Sequence, residues 1–380
     1  MPEPRIARSA TGSATLAAAL LVGLLAASPA GAAPTTPDAA ALVARLGLEE
    51  AAEPVREHPG WHKPARVLVP AMDDAQLAWL RQAAPGVDLV PVASVQEAVA
   101  AAHGADAIIG ICHADVLAAG PDIAWVQILS AGAERCVSIP AMRERAILLT
   151  NMQRVAGPVM SEHVIAMMFA LGRKLPAFMA AQREGRWERD LADEGMWAME
   201  GKTVLVVGLG GIGTEVARRA HALGMKVIAL RNSRREGPSF VARVGLPGQL
   251  LEFAREADFV VNTAPLTDAT RGMFDAAFFG AMRRGAHFIN VGRGQSVVTG
   301  DLITALRSGQ VGGAGLDVTD PEPLPPDHPL WQVPNVIITP HVSARSDLGA
   351  QARWAVAREN LRRYAAGERM LSVVDVERGY

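Results

Sequence analysis

The sequence predicts an α/β chain built on two doubly wound parallel sheets. Three observations lead there. Short apolar runs rich in β-branched residues alternate with helical patterns from Arg66 to Thr339. Gly208, Gly210 and Gly213 sit between one such run and a helical pattern. The 380 residues suit two domains better than one. With 50% of residues hydrophobic and 20% charged, the chain has ample material for packed cores, which excludes global disorder.

The first segment looks like a processing signal. Arg5 and Arg8 precede an apolar run from Ala14 to Ala27, and Ala30, Gly31 and Ala32 form a small-residue cleavage site. Residues 1–33 are therefore read as a signal peptide or Ala-rich leader. The run is short for a bilayer, so no integral membrane span is expected in the mature form. The leader points to export, to the periplasm; a cytoplasmic protein keeping its leader is the alternative. Residues 34–62 are Ala/Pro-rich with one plausible helix, Ala39 to Leu46.

Strands are expected at Arg66–Val69, Val87–Pro91, Ala107–Ile111, Ala124–Leu129 and Ile147–Leu149, with helices at Asp74–Ala83 and Val95–Ala102. A long helix, about Val159 to Leu171, places Val164, Met167, Met168 and Leu171 on one stripe, with the methionines as core filler. Beyond it the second sheet is expected from Thr203–Val207, Val227–Leu230, Phe259–Thr263, His287–Val291, Gly313–Val318 and Val336–Thr339. Runs this continuously apolar suit parallel strands covered on both faces. An amphipathic helix, about Asp347 to Ala365, closes the chain.

The glycine triplet has the spacing G-x-G-x-x-G, directly after Thr203–Val207 and opening a helix with Ile212, Val216, Ala217 and Ala220 on one face. There the first glycine makes the tight turn, the second lets backbone approach a pyrophosphate, and the third lets helix and strand pack closely. The helix N-terminus adds unpaired N–H groups for phosphates. A dinucleotide site follows. An NAD-type site usually has a carboxylate about 20 residues on, but here the region reads Arg231, Asn232, Ser233, Arg234, Arg235. Guanidinium groups and a hydroxyl suit a 2′-phosphate, which a carboxylate would repel, so NADP is the expected cofactor with NAD possible. A net charge of −2 and a pI near 6.5 give no general attraction to nucleic acid or to acidic membranes.

Cys112 and Cys136 are the only cysteines, too few for a disulfide framework or a Cys-based metal site, and no metal is expected. Both can follow strands of one sheet, which leaves pairing open, but two unpaired thiols are the expectation.

Three later segments place reactive side chains at predicted strand ends. FINVGRGQSV carries Arg293, GLDVTDPEP carries Asp317 and Glu322, and ITPHVSA carries His341. In an open α/β sheet ligands lie beyond these carboxyl ends. An imidazole can move a proton to or from an alcohol oxygen, a carboxylate on its other nitrogen fixes its tautomer, and a guanidinium fork holds a carboxylate and polarises a carbonyl. That set suits reversible reduction of a small 2-oxo acid.

Together with Pro265, Leu266 and Thr267, these motifs resemble the D-isomer-specific 2-hydroxyacid dehydrogenase family from about Val67 to Tyr380. The resemblance implies two Rossmann-like domains with the active site in the cleft between them. Residues 34–150 with 344–380 would form the substrate-binding domain and 151–343 the dinucleotide-binding domain. Arg293 would bind and polarise the substrate, His341 would be the acid/base and Glu322 its partner. Ser130, Ala131 and Gly132, with Ala133, would form the substrate loop. The cofactor site would comprise Gly208 to Gly213 (Leu209, Gly211 and Ile212 between the glycines), Arg231, Asn232, Ser233 and Arg234, Ala264, Pro265 and Thr270, Val291, Gly292 and Arg293, Asp317 near the nicotinamide carboxamide, and His341. Family members are usually homodimers. Val298 stands where the family often has Asp.

Two other readings of the fold remain open here: a cofactor-sensing, corepressor-like binding protein, and a phosphite-oxidising relative. Formate oxidation is disfavoured because such relatives carry an amide where Glu322 stands. His163, His328 and Glu162 are expected to be structural and Arg173 a helix C-terminal charge; His113, which follows a strand of the smaller domain, is likewise expected to be structural rather than to face the cleft.

Overall fold

The protein is described from a computed structural model that covers residues 39–193 and 195–378. The leader read over residues 1–33 lies outside the described residues. Strands β1 (Arg66–Pro70), β2 (Asp88–Val92), β3 (Ala107–Ile109), β4 (Trp125–Gln127) and β5 (Leu148–Thr150) form a parallel sheet in the order β2-β1-β3-β4-β5. Strands β6 (Thr203–Val207), β7 (Lys226–Leu230), β8 (Arg243–Gly245), β9 (Phe259–Asn262), β10 (Ala286–Asn290), β11 (Val311–Leu316) and β12 (Val336–Ile338) form the second, in the order β12-β11-β10-β9-β6-β7-β8. Both are doubly wound, as expected.

The alternation of side chains explains why these strands are apolar throughout. In the large sheet Leu205, Val207, Ile228, Leu230, Val260 and Phe288 face one helical layer, while Val204, Val206, Val227, Ala229, Phe259, Val261 and Ile289 face the other. The chain runs from β6 out to β7 and β8, then returns to β9 on the other flank of β6. This reversal opens a crevice between the ends of β6 and β9, where Gly208 and Ala264 lie.

The smaller sheet is covered on one face by both described ends of the chain. Leu42 of the helix Ala39–Leu46 and Ala355, Val356, Leu361 and Tyr364 of the helix Asp347–Ala366 share a core with Val67, Val69, Ala107 and Trp125. Tyr364 stacks on Trp125 with ring centroids 4.7 Å apart. Among the described residues no single helix is long and apolar enough to cross a membrane.

The structure departs from expectation in a few places. Strand β8 went unforeseen: it is a three-residue edge strand ending in glycine, with no apolar run to announce it. Val298 caps the helix Thr299–Arg307 without a side-chain hydrogen bond. The two cysteines, expected to be unpaired, form a disulfide with Cα atoms 5.7 Å apart. The reason is topological. Strands β3 and β4 are adjacent and parallel, so the segments that leave their carboxyl ends, carrying Cys112 and Cys136, emerge side by side.

His287, on β10, is buried between Trp197 and Phe259, and burial pushes its imidazole down to about 4 from the ordinary 6.5. The unfolded chain therefore binds an extra proton between these values, so this contribution is full above pH 6.5 and is lost as pH falls toward 4. The shift corresponds to on the order of 3 kcal/mol. Replacing His287 with Phe should flatten that part of the stability profile, as measured by denaturant unfolding at pH 7.5 and pH 4.5; an unchanged profile would show that His287 is not the group responsible.

Candidate active site

The site grows from the carboxyl ends of adjacent strands. After β6, Gly208 takes φ +95°, and a Cβ there would lie 2.8 Å from the backbone nitrogen of Ala264, so the loops flanking the crevice touch. At Gly213 a Cβ would meet the Gly208 carbonyl at 2.1 Å, which is the close helix–strand packing expected of the third glycine. Gly210 faces open space, and the helix Gly211–Ala222 begins with no side-chain cap on its N–H groups. Leu209 and Val291 bury their side chains in the core, so only their backbones face the crevice, and Ile212 is half-buried beside them.

Past β7, Arg231 bonds the Glu236 carbonyl at 2.9 Å, Arg235 bonds Gln249 at 2.6 Å, and Asn232, Ser233 and Arg234 are exposed. Burial, then the charges of Arg234 and Arg154, lower the Arg231 guanidinium from its ordinary range. Three guanidinium groups therefore share this end of the crevice. Arg154 was not foreseen: it takes φ +68°, packs against Gly211 and is ion-paired with Glu49.

Two buried amides tie the next loops together. The Asn262 amide donates to Asn290 Oδ1 and Ser296 Oγ, both at 2.9 Å, while its own oxygen accepts from the Ala264 N–H at 3.0 Å. Asn290 in turn binds the N–H of Gly292 and the carbonyl of Arg293, both at 3.0 Å. Thr270 braces the loop after Ala264 by donating to the Pro265 carbonyl at 2.7 Å. The backbone of Arg293 is thus fixed before its side chain is considered. A Cβ on Gly294 would lie 1.9 Å from the Thr319 carbonyl, so the Arg293 loop also rests on the loop that leads to Glu322.

Asp317 follows β11 and is buried. Its Oδ1 accepts from Thr339 Oγ1 at 2.7 Å and the Val342 N–H at 2.9 Å, and Oδ2 accepts from the Ser343 N–H at 3.1 Å. Burial alone would raise this carboxyl, but the donors from Ser343, Thr339 and Val342 outweigh it and hold the group below the usual carboxylate range. The turn it anchors carries His341 at φ +53°, with the His341 N–H on the Asp317 carbonyl at 2.8 Å. His341 Nδ1 lies 2.7 Å from Glu322 Oε1, both side chains about half exposed. Nε2 is left as the ring nitrogen not engaged by Glu322.

The loop Ser130–Ala133 after β4 comes from the other sheet and meets the side chain of Arg293 at Gly132. Its carbonyls are tied back: Asn151 donates to Ala131 at 2.7 Å, Ser130 Oγ to Gly132 at 2.9 Å, and the Met152 N–H to Ser130 at 3.0 Å. Glu134, next along, pairs with Arg293, Nε to Oε1 at 3.0 Å and Nη2 to Oε2 at 3.2 Å. The site therefore lies between the two sheets.

Comparison with known proteins identifies the family. Residues 165–343 match the family model "D-isomer specific 2-hydroxyacid dehydrogenase, NAD binding domain". Glyoxylate/hydroxypyruvate reductase B of Citrobacter koseri is 31% identical over 79% of this chain and 94% of its own. The chain belongs to the D-isomer-specific 2-hydroxyacid dehydrogenase family. Among solved structures, an NADPH-dependent glyoxylate/hydroxypyruvate reductase of Sinorhizobium meliloti in complex with NADP and sulfate matches with TM-score 0.72 and 30% identity, covering 83% of this chain and 100% of that one. A D-isomer-specific 2-hydroxyacid dehydrogenase of Xanthobacter autotrophicus in complex with NADPH and MES matches with TM-score 0.71 and 31% identity, covering 84% and 100%.

In this dehydrogenase several histidines and acids fall where structural roles were expected. His328 and His113 each accept from a backbone N–H two residues on, at 3.2 and 3.3 Å, and Glu162 pairs with Arg219 at 3.3 Å. Arg173 caps the C-terminus of the helix Gly157–Gly172. His163 is different. Its Nε2 meets Thr339 Oγ1 at 3.0 Å and stands 3.9 Å from Asp317, so it joins the scaffold beneath His341. An imidazole on a mostly apolar helix was the available signal.

Gly132 explains how Arg293 fits. A Cβ there would lie 1.7 Å from Arg293 Nη2 and 2.7 Å from Glu134 Oε2. Because the obstructing atoms are side-chain ends, Gly132→Ala should fold with little change in thermal midpoint but displace the guanidinium. Cofactor-dependent turnover should fall on the order of 100-fold; a variant as active as the parent would mean that Arg293 does not work from this position.

Proposed function

We propose that this dehydrogenase reduces small 2-oxo acids to D-2-hydroxy acids with NADPH, and that Arg293, Glu322 and His341 carry out the chemistry. The observation that carries the reading is the 2.7 Å Glu322–His341 pair at the carboxyl ends of the large sheet, where Arg293 is also ion-paired to Glu134 next to the loop from the opposite sheet. The cofactor site fits: Gly210 leaves space for a pyrophosphate at an uncapped helix N-terminus, and Arg231, Arg234 and Arg154 offer cations where an NAD-type site has a carboxylate. When bound, the nicotinamide supplies the hydride. The N–H groups of the Ser130–Ala133 loop and the Arg293 fork hold the substrate carboxylate. His341 gives a proton to the carbonyl oxygen as that oxygen becomes an alcohol, and Glu322 fixes the ring's tautomer and stabilises its charged form. Asp317, buried with both carboxylate oxygens bonded within the chain, contributes by holding the His341 turn.

We extend the proposal to organisation and location. Residues 34–150 with 344–380 bind substrate, and 151–343 bind cofactor. Phe169, Leu175, Met179 and Trp187 are 36, 45, 52 and 93% exposed along the helices Gly157–Gly172 and Leu175–Arg183 and the segment beyond, an apolar strip that suits a homodimer. The disulfide between Cys112 and Cys136 supports export behind the leader, since such bonds persist in oxidising compartments.

The test is a panel of glyoxylate, hydroxypyruvate and a branched 2-oxo acid with both cofactors. NADPH should support a higher kcat/KM than NADH, and Arg231→Ser with Arg234→Ser should erase the difference. His341→Ala should lower kcat on the order of 100-fold. NADPH binding without oxidation across the panel would replace this reading with a cofactor sensor, and N-terminal sequencing of the native protein that finds Met1 retained would end the export proposal.

A further inference from the structure

We propose that Glu134 is a positioning residue for Arg293, aligning its guanidinium for the substrate carboxylate; the inference rests on the proposed reduction of 2-oxo acids. A guanidinium has five N–H donors. Here Nη2 donates to Glu134 Oε2 at 3.2 Å, Nε stands 3.0 Å from Oε1 in the same ion pair, and Nη1 donates to the Gly292 carbonyl at 2.8 Å. One N–H on each Nη is left over, the pair that a planar carboxylate accepts in a fork. Without Glu134, the guanidinium of a side chain about one-third exposed would be free to turn that pair away.

The pair also crosses the site. Arg293 follows β10 of the cofactor sheet, whereas Glu134 opens the short helix Glu134–Val137 directly after the substrate loop. Gly132 lies between them, the missing side chain making room for Nη2 and for Glu134 Oε2 alike. Substrate loop and substrate-binding cation are thereby set relative to each other by a single carboxylate. The competing possibility is that Glu134 is a placeholder that a substrate carboxylate must displace. The donor count favours alignment, because Glu134 takes the side edge and leaves the end pair unused. The two cases differ in sign: removing an aligning group weakens substrate binding, whereas removing a competitor strengthens it.

The experiment measures steady-state kinetics with NADPH and glyoxylate for the full chain and for Glu134→Gln and Glu134→Asp, with oxamate as a non-reacting carboxylate inhibitor and NADPH binding followed by fluorescence. Glu134→Gln keeps size but loses the charge and one acceptor. Its KM for glyoxylate and its inhibition constant for oxamate should rise together by about tenfold or more, with a smaller fall in kcat and an unchanged Kd for NADPH. Glu134→Asp, which keeps the carboxylate on a shorter arm, should recover part of the loss. An unchanged or lowered KM in Glu134→Gln overturns the proposal while leaving the reductase reading intact. Equal losses in NADPH binding overturn it too, by showing a general structural defect. A parent protein that oxidises no NADPH on any 2-oxo acid removes the reading beneath it.

Discussion

The buried carboxylate of Asp317 is the constraint on which the His341 side of the candidate site depends. Taking a carboxylate out of water is costly unless donors replace the lost hydration. Here the replacement comes from the side chain of Thr339 and the backbone N–H groups of Val342 and Ser343. Those donors belong to the turn that carries His341, so meeting the electrostatic demand of one side chain fixes the shape of the loop that holds another. The left-handed φ of His341, unusual for a side chain with a Cβ, is tolerated because both its flanks are bonded to Asp317. His163 and Thr339 extend the same network to the long helix.

The other loops obey a parallel logic with neutral groups. Asn262 and Asn290 end neighbouring strands, and their paired amides fix the backbones of Ala264, Gly292 and Arg293. Glycine then appears wherever two of these loops must touch: Gly208 against Ala264, Gly292 against Ala264, Gly294 against Thr319. The site is a set of loop contacts too close for side chains, held from beneath by polar groups with no water to turn to. Stability and alignment here come from the same hydrogen bonds.

Much of this was legible in the sequence, for identifiable reasons. Parallel strands buried on both faces show as apolar runs, and their carboxyl ends then put Arg293 and His341 on the ligand side, while Glu322, in the loop after β11, was singled out with them by the family resemblance. The glycine spacing identified the turn, the open position and the packing position as the structure has them. What was not legible depends on partners distant in the chain. Arg154 and Glu134 look like surface charges until Gly211 and Arg293 are placed beside them. Asn262 and Asn290 were missed although each closes an apolar strand at the ligand-facing end, which is the pattern worth noting. The cysteine pair needed the adjacency of β3 and β4, and residue spacing along the chain says nothing of that.

The disulfide and the Glu134–Arg293 pair bear on one another. Cys136 lies two residues beyond Glu134 in the same short helix, and the bond ties that helix to Cys112 on the segment leaving β3. On its other side the substrate loop is held through its carbonyls by Asn151 and Met152, which follow β5. The loop is thus anchored on both flanks, by a covalent bond at one and hydrogen bonds at the other. Four helical residues nucleate poorly on their own, so a helix this short would place Glu134 loosely if nothing else restrained it. The disulfide limits that freedom. A carboxylate that aligns a guanidinium needs a well-fixed backbone, and the pairing of Cys112 with Cys136 provides one where the small sheet's strands have already ended.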